Sequence, residues 1–195
     1  MSPWQPVEGE TPIDLSDLKV RVKTRAELNA LEFVNISKAI AKYLSAKPSR
    51  RMAPFNIEWC GKLHRQMFGD VLRRAGEFRT SDTNIGVPHG QVEPMLHNLM
   101  ENLPHWKDRP LVEQAADLHH QAVAIHPFAN GNGRWSRLLA NIWLRRHAHP
   151  VIRWPEETIG SQSPIRRRYL DAIRAADAGN LCPLVELHET HATGG

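Results

Sequence analysis

The apolar positions of this chain recur mainly every three to four residues, which is the spacing of one face of an α-helix. Thr24 and Glu27 form a capping box that predicts the start of a first helix over residues 24–45. Its expected apolar stripe consists of Leu28, Leu31, Ile36, Ile40 and Tyr43. Similar stripes predict further helices over residues 56–75, 93–105, 110–123, 133–148, 164–173 and 181–187.

Residues 76–92 depart from this helical pattern. Phe78, Ile85 and Val87 stand among small and polar residues, and Pro88 breaks the segment. This pattern predicts a short β-hairpin that forms a flap. The chain is therefore predicted to be an all-α helical bundle with one small β-hairpin flap.

The ends of the chain are predicted to lie outside this bundle. Pro3, Pro6 and Pro12 indicate that residues 1–22 form an irregular N-terminal arm laid on the domain. Residues 23–190 are expected to form a single domain, because a chain of 195 residues is long enough for one substantial core. Residues 191–195 are expected to be a short tail.

The composition is typical of a globular protein, with 41% hydrophobic and 24% charged residues. No run approaches the roughly 20 apolar residues that a membrane span needs, so a membrane partner is not expected. The first residues lack the basic and apolar pattern of a secretion signal. Cys60 and Cys182 are too few for a disulfide framework, and we expect a reducing cytoplasm as the location.

Basic residues exceed acidic ones, giving a net charge of +4, and eleven histidines are present. The one dense basic run is Arg166–Arg168, for which a solvated helix face is favoured over nucleic-acid binding because the other arginines are spread among acidic residues. The chain has neither an HExxH nor a CxxC spacing, so structural zinc is not predicted. His119 is interpreted as a packed helix residue with a hydrogen-bond partner.

The segment from His126 to Arg137, HPFANGNGRWSR, has the strongest chemical content. Its two glycines predict a tight turn, and the apolar pattern that follows predicts a helix whose first N–H groups can bind an anion. Arg134 and Arg137 share one face of the first turns, where both can reach phosphate oxygens. His126 is a candidate general base. The alternatives are a histidine that caps a helix and arginines in surface ion pairs.

This segment resembles the signature of the Fic family (filamentation induced by cAMP), H-x-F-x-[DE]-G-N-G-R-x-x-R. Most members of that family transfer AMP from ATP to a hydroxyl side chain of a target protein. The match is complete except at Asn130. Residues 24–36 and 68–86 also resemble the branch called mobile mystery protein B, and the whole resemblance covers residues 8 to 190. It implies the Fic-fold helical bundle.

The resemblance implies a role for each residue of the segment. His126 would deprotonate the target hydroxyl, which attacks the α-phosphorus of ATP, and Phe128 would anchor the loop. Asn132 and the backbone amides would hold phosphate oxygens, and the two arginines would clamp the β- and γ-phosphates. The implied catalytic residues are His126, Asn132 and Arg134, and the implied nucleotide-binding residues are Asn130, Gly131, Asn132, Gly133, Arg134 and Arg137. Trp135 is a weaker candidate for lining the nucleotide pocket.

Asn130 stands where the family has an acidic residue that helps to hold Mg²⁺. An asparagine keeps an oxygen ligand but loses the charge, and Mg²⁺ favours carboxylates together with substrate phosphates. ATP as substrate and Mg²⁺ are thus the implied cofactors. The substitution predicts weaker metal binding and leaves the rate and the transferred group open.

Two further segments have implied roles. Glu32 aligns with a glutamate that in many Fic proteins pairs with the second signature arginine and blocks the γ-phosphate site. Leu28 and Phe33 depart from that inhibitory motif, so a plain exposed carboxylate is an equal alternative. The flap is expected to dock the target segment by strand addition, against the alternative of a hairpin without a partner. Its implied docking residues are Thr80, Ser81, Asp82, Thr83, Asn84 and Ile85.

The sequence thus predicts a cytoplasmic protein adenylyltransferase of the Fic type that uses ATP and a divalent cation. One alternative is a Fic-fold transferase of another phosphate-containing group. The other is a catalytically weak binding component of a two-gene module, working with a helix-turn-helix protein that binds DNA. The target protein is not predicted, and both a homodimer and the helix-turn-helix partner stay open.

Overall fold

The computed structural model describes residue 4 and residues 6–192, and in this part of the chain the fold is helical. The helical class predicted from the sequence is confirmed. Within the described residues, three short 3₁₀ turns accompany the α-helices, at Leu15–Asp17, His89–Gln91 and Leu103–Trp106. The α-helices are α1 (Arg25–Leu44), α2 (Ile57–Phe68), α3 (Val92–Asn102), α4 (Leu111–Ile125), α5 (Asn132–Arg146), α6 (Glu156–Ile159), α7 (Pro164–Asp177) and α8 (Cys182–Thr190).

Helices α4 and α5 form the centre of the bundle and pack most extensively against each other. A short loop joins them, as is usual for antiparallel neighbours. Helices α1, α2 and α3 enclose the main core, whose largest fully buried side chains include Phe68, Phe128 and Trp135. A second, smaller core lies where α7 and α8 pack against α4. Among the described residues, no helix is long and apolar enough to cross a membrane.

The apolar stripe predicted for α1 is wrong at two positions. Leu31 and Ile40 are each 41% exposed, whereas the buried face of α1 includes the polar residues Glu32 and Asn35. The helix starts as predicted, because the Thr24 hydroxyl accepts a hydrogen bond from the Glu27 backbone N–H. Which face of α1 packs against the core therefore depends on the contacts of Glu32 and not on hydrophobicity alone.

The β-hairpin predicted over residues 76–92 is also wrong, because residues 76–88 form an irregular loop without a strand ladder and the 3₁₀ turn at His89–Gln91 follows directly. The cause is Arg79, whose side chain is 1% exposed. Its guanidinium donates hydrogen bonds to the carbonyls of Ser81 and Val87, which could otherwise have joined a ladder. The Arg79 backbone N–H donates to the Pro127 carbonyl at 3.0 Å, which holds the loop against the α4–α5 connection.

The described part of the N-terminal arm, residue 4 and residues 6–22, crosses the bundle with little regular structure. Asp17 Oδ1 accepts hydrogen bonds from the backbone N–H and from Nε of Arg74, at 3.0 and 3.2 Å. This attachment uses residues that follow α2, which ends at Phe68 and not at Ala75 as predicted. The remaining arm residues and positions 193–195 of the predicted tail lie outside the described part of the chain.

The basic run on α7 is only partly the solvated face that was predicted. Arg167 and Arg168 are exposed, but Arg166 is buried with 7% exposure. The Arg166 guanidinium donates hydrogen bonds to the carbonyls of Ile159 and Glu8. Arg166 thus attaches the N-terminal arm to the domain.

Candidate functional site

His126 marks the point where the chain turns out of α4. Its backbone has φ 53° and ψ 61°, a left-handed conformation that ends the helix, and its N–H donates to the Ala122 carbonyl. The residue is buried with 7% exposure, and Arg79 Nε donates a 2.7 Å hydrogen bond to its carbonyl. The Oγ1 atom of Thr11 lies 3.0 Å from His126 Nε2. Nε2, the ring nitrogen that would accept a proton if His126 is a general base, therefore faces a hydroxyl group.

The surroundings of His126 favour its neutral form. Burial, together with the nearby positive charge of Arg79, lowers the pKa of His126 to about 4, although the Val123 carbonyl acts in the opposite direction. At pH 7 the ring is then unprotonated. A neutral imidazole can accept a proton from a hydroxyl group through Nε2 when the other ring nitrogen carries the hydrogen.

Asn132 closes the loop between α4 and α5. Its side-chain oxygen accepts a hydrogen bond from the Phe128 N–H at 2.9 Å, and its side-chain nitrogen donates to the Phe128 carbonyl at 2.7 Å. The residue is 2% exposed. The carboxamide thus holds the loop together, a structural role that the sequence did not predict, and its contact with a phosphate stays a prediction. The backbone N–H of Asn132 belongs to the first turn of α5, where N–H groups have no intrahelical partner.

The two glycines of the loop have different structural reasons. Gly131 has φ 78°, and a Cβ atom there would lie 2.6 Å from the ring of Phe68. A Cβ atom at Gly133 would meet only the end of the Arg137 side chain, at 3.4 Å. Gly131 is thus required by the backbone and the packing, whereas Gly133 leaves open space beside the first turn of α5. Open space next to free N–H groups suits a ligand that approaches the backbone.

His64 supports the loop from behind and was missed by the sequence analysis. Its Nδ1 atom accepts a hydrogen bond from the Gly76 N–H at 2.9 Å, and its Nε2 atom lies 3.0 Å from the Asn130 carbonyl. Its ring stacks on Phe128 with centroids 3.8 Å apart. Burial lowers the pKa of His64 to about 3, which fits a neutral ring that donates to Asn130. The available signal was a polar residue on the apolar face of α2.

Arg134 pairs with Glu32. The two charged groups are 2.6 Å apart, and Glu32 is 1% exposed. The Arg134 guanidinium also lies over the ring of Phe68, 5.3 Å from its centroid. The structure therefore corrects two expectations, since Glu32 is neither an exposed carboxylate nor the partner of Arg137.

Arg137 pairs instead with Glu156, the first residue of α6. Arg137 Nε donates to one carboxylate oxygen of Glu156 at 2.7 Å, and a second guanidinium nitrogen donates to the other. Arg137 is 5% exposed and lies over the ring of Tyr169. Burial alone would lower the pKa of Arg137, but Glu156 outweighs it and raises the pKa. Sequence reasoning missed Glu156, because nothing in its neighbourhood links it to the loop.

The flap segment reaches the site even though it is not a hairpin. A Cβ atom at Gly86 would lie 2.5 Å from His126 Cβ, so the flap backbone packs directly on the candidate base. Asn84 Nδ2 donates to the Glu10 carbonyl at 3.2 Å. The other predicted docking residues, Thr80, Ser81, Asp82, Thr83 and Ile85, either make contacts within residues 79–89 or are exposed.

Three other residues singled out in the sequence are fully buried. Phe128 is fully buried and anchors the loop as predicted. Trp135 is also fully buried, edge-on to Phe128, so it belongs to the core and does not line an open pocket. His119 is a packed residue as predicted, with its ring nitrogens 3.1 Å from His188 Nε2 and 3.0 Å from Tyr169 Oη.

Asn130 and the other oxygen ligands of the site do not form a magnesium site by themselves. Asn130 Oδ1 accepts a 2.9 Å hydrogen bond from the Gly131 N–H and carries no charge. The carboxylates of Glu32 and Glu156 are paired with Arg134 and Arg137. The described residues contain no cluster of three His, Cys, Asp or Glu side chains suited to a metal ion. The donor set thus offers Mg²⁺ one neutral oxygen, which falls short of what this ion prefers.

Comparisons with known proteins agree on one family. A sequence model described as Fic/DOC family matches residues 54–144. The chain is 35% identical over 153 residues to "Protein adenylyltransferase Fic" of Drosophila grimshawi, covering 74% of this chain and 30% of that protein. It is 29% identical over 194 residues to the protein of the same name from Aedes aegypti, covering 92% of this chain and 37% of the relative. The chain thus spans about a third of the length of these relatives.

Solved structures give the same result for the fold. Fic-1 from C. elegans superposes with a TM-score of 0.72 at 25% identity, covering 88% of this chain and 51% of that one. BepC from Bartonella tribocorum, solved with bound AMPPNP, superposes with a TM-score of 0.70 at 19% identity. That match covers 97% of this chain and 96% of BepC.

Proposed function

Because this chain belongs to the Fic/DOC family, we propose that it transfers AMP from ATP to a hydroxyl side chain of a protein. The observation that carries this proposal is the loop between α4 and α5. It holds a neutral His126 at one end and the N-terminus of α5 with Arg134 at the other. A base for the incoming hydroxyl and an anion-binding helix end are thus fixed relative to each other by a single short loop.

The transfer uses these groups in one displacement. The hydroxyl oxygen of the acceptor bonds to the α-phosphorus of ATP while its proton moves to His126 Nε2. Pyrophosphate leaves, and the free N–H groups at the start of α5 together with Arg134 stabilise its charge. Asn132 contributes by holding the loop in shape, and His64 contributes by fixing the Asn130 carbonyl behind it.

The triphosphate has to compete with two carboxylates of the chain. Arg134 forms an ion pair with Glu32, and Arg137 forms one with Glu156. A β- or γ-phosphate that binds either arginine takes over the interaction made by the carboxylate. The names of the curated relatives and the AMPPNP bound to BepC support ATP as the nucleotide. Mg²⁺ would come to the site with the phosphates of ATP, and the Asn130 side chain would offer it a single neutral oxygen.

Labelled ATP tests the proposed function. The protein is incubated in a cell lysate with ATP labelled at the α- or the γ-phosphate, and protein-bound label is then measured. Label retained only from the α-position supports AMP transfer, and label retained from the γ-position shows transfer of another phosphate-containing group. Label retained from neither position would indicate a catalytically weak binding protein. Its function would then depend on binding a helix-turn-helix partner or a second copy of this chain.

Two histidine variants on the same stretch of chain assign the base. His126→Ala is expected to lower α-label transfer by on the order of 10²–10⁴-fold with ATP binding retained, because the base acts on the hydroxyl group. His120→Ala is the matched control, since His120 pairs with Asp177 outside the site and is expected to retain transfer. Unchanged transfer by His126→Ala would remove His126 from the mechanism.

A further inference from the structure

The N-terminal arm presents its own hydroxyl group to the candidate base. Thr11 Oγ1 lies 3.0 Å from His126 Nε2, which is the hydrogen-bond distance that proton transfer to a general base requires. Among the described residues, Thr11 is the side chain whose polar atom meets Nε2. The geometry that the base needs with an acceptor hydroxyl therefore already exists within the chain.

Contacts on the N-terminal side of Thr11 hold the arm in this position. The Glu8 carbonyl accepts hydrogen bonds from the buried Arg166 guanidinium. The Glu10 carboxylate pairs with Arg25 at 2.9 Å and approaches Arg166 at 4.0 Å. Helices α1 and α7 thus both bind the residues immediately before Thr11. The segment that places the Thr11 hydroxyl beside His126 is therefore attached to the domain.

The arm also contacts the flap beside the base. Asn84 Nδ2 donates to the carbonyl of Glu10, the residue that precedes Thr11, and Gly86 packs on His126. On the C-terminal side, Asp17 is bonded to Arg74 after α2. The arm therefore occupies the place, between flap and base, where a target segment is expected to dock.

We propose that Thr11 is an acceptor of AMP, modified by His126 of the same chain. This proposal rests on the proposed adenylyl transfer and names its first substrate. While the arm stays in place, another protein's hydroxyl group cannot reach His126 Nε2. A target protein therefore has to displace the arm before it is modified.

The reaction balances with ATP as the only co-substrate. Thr11 Oγ1 forms a bond to the α-phosphorus, and the bond from that phosphorus to the oxygen bridging the β-phosphate breaks. Pyrophosphate leaves, and the hydroxyl proton moves to His126 Nε2. The product is a phosphodiester that joins Thr11 to AMP.

Mass spectrometry of the purified full chain tests the proposal. Incubation with ATP and Mg²⁺ is expected to add one AMP to the intact mass, and peptide mapping is expected to place it on Thr11. Thr11→Val keeps the size of the side chain without the hydroxyl and is expected to lose the addition, whereas Thr11→Ser is expected to retain it. Ser16→Ala removes an exposed hydroxyl of the same arm as the matched control and is expected to leave the addition unchanged.

A mixing experiment shows whether the reaction is intramolecular. The His126→Ala chain keeps Thr11 and is incubated with ATP and the catalytically intact Thr11→Val chain. We expect no AMP on the His126→Ala chain, and AMP on its Thr11 would overturn the intramolecular assignment. Self-modification at a residue other than Thr11 would overturn the proposal itself.

The lysate experiment separates this proposal from the proposed function. Transfer of α-label to lysate proteins by a wild-type chain that carries no AMP on Thr11 overturns only the role of Thr11. Absence of label on both the lysate proteins and Thr11 overturns both proposals. AMP on Thr11 that is lost in His126→Ala supports both.

Discussion

The carboxylate of Glu32 lies 2.6 Å from the guanidinium of Arg134, so α1 places a buried negative charge at the first turn of α5. This is the position where the proposed mechanism needs the phosphates of ATP. An anion of the chain itself and an anionic ligand then compete for one guanidinium and for the same helix end. Under the proposed mechanism, the Glu32–Arg134 contact would therefore make α1 a restraint on ATP binding.

Glu32→Gln is expected to raise the affinity for ATP. The amide keeps the shape of the side chain but removes the charge that competes with phosphate. Once Arg134 is free of Glu32, it can donate a charge-assisted hydrogen bond to a phosphate of ATP. Such a bond contributes roughly 1.5–3 kcal/mol, which corresponds to about tenfold or more in the affinity for ATP. Calorimetric titration with ATP measures the change. Glu113→Gln, which removes a carboxylate paired with Arg109 away from the site, is the control and should bind ATP like the wild type.

An increase in self-modification should accompany the tighter binding, because both effects come from freeing Arg134. Equal ATP affinity in wild type and in a folded Glu32→Gln variant would show that the contact is only structural.

Gly131→Ala and Gly133→Ala are expected to differ strongly in stability. Gly131 has a positive φ and no room for a Cβ atom against Phe68, so alanine should lower the free energy of unfolding by about 1–3 kcal/mol or more. A Cβ atom at Gly133 meets only the flexible end of Arg137. Urea unfolding should therefore place Gly133→Ala near the wild type, and equal losses for the two variants would contradict the loop geometry.

Local sequence signals predicted the loop but not what surrounds it. His126, Gly131 and Asn132 lie in one ungapped segment, so their proximity follows from the chain itself. Glu32 and Glu156, the partners of the two arginines, come from α1 and α6, and no local pattern specifies such distant pairs. Their identities depend on how the helices pack.

Two of the errors in the predicted elements, the buried face of α1 and the hairpin, have the same origin. The face of α1 was predicted from hydrophobicity, yet Glu32 and Asn35 are buried while Leu31 is exposed. The hairpin was predicted from its alternation of apolar and polar residues. Arg79, a single buried side chain, takes up carbonyls that a ladder would use. A polar group that finds its partners in tertiary contacts can override both helical and strand patterns.

Asn130→Asp is expected to lower the Mg²⁺ concentration needed for half-maximal transfer. The substitution places a carboxylate where the chain now offers one neutral oxygen, and hard cations bind carboxylates more tightly. Mg²⁺ titrations of α-label transfer at fixed ATP compare the variant with the wild type. Asn180→Asp, which changes an exposed amide that accepts a hydrogen bond from the Cys182 N–H at the start of α8, is the matched control. Overlapping titration curves for Asn130→Asp and the wild type would mean that position 130 does not approach the ion.

The buried histidines predict a loss of stability in acid. Burial lowers the pKa of His126 to about 4 and the pKa values of His64 and His188 to about 3, below the value near 6.5 of an unfolded histidine. Between these values the unfolded chain binds protons that the folded chain does not. The contribution of each ring to stability is therefore complete above pH 6.5 and falls as the pH drops toward the folded pKa, by about 1.4 kcal/mol per pH unit.

His64→Gln isolates one of these contributions. Removing a ring that stays neutral in the fold should make the fall in unfolding free energy between pH 6.5 and 4 shallower, by up to about 1.4 kcal/mol per pH unit. Carboxylates that titrate in the same range affect wild type and variant alike, so they cancel in the difference between the two slopes. The exposed His97, changed to Gln, provides the control for loss of an imidazole. Urea unfolding at several pH values measures the slopes, and identical slopes for His64→Gln and the wild type would show that His64 takes up its proton in the folded state as readily as in the unfolded one.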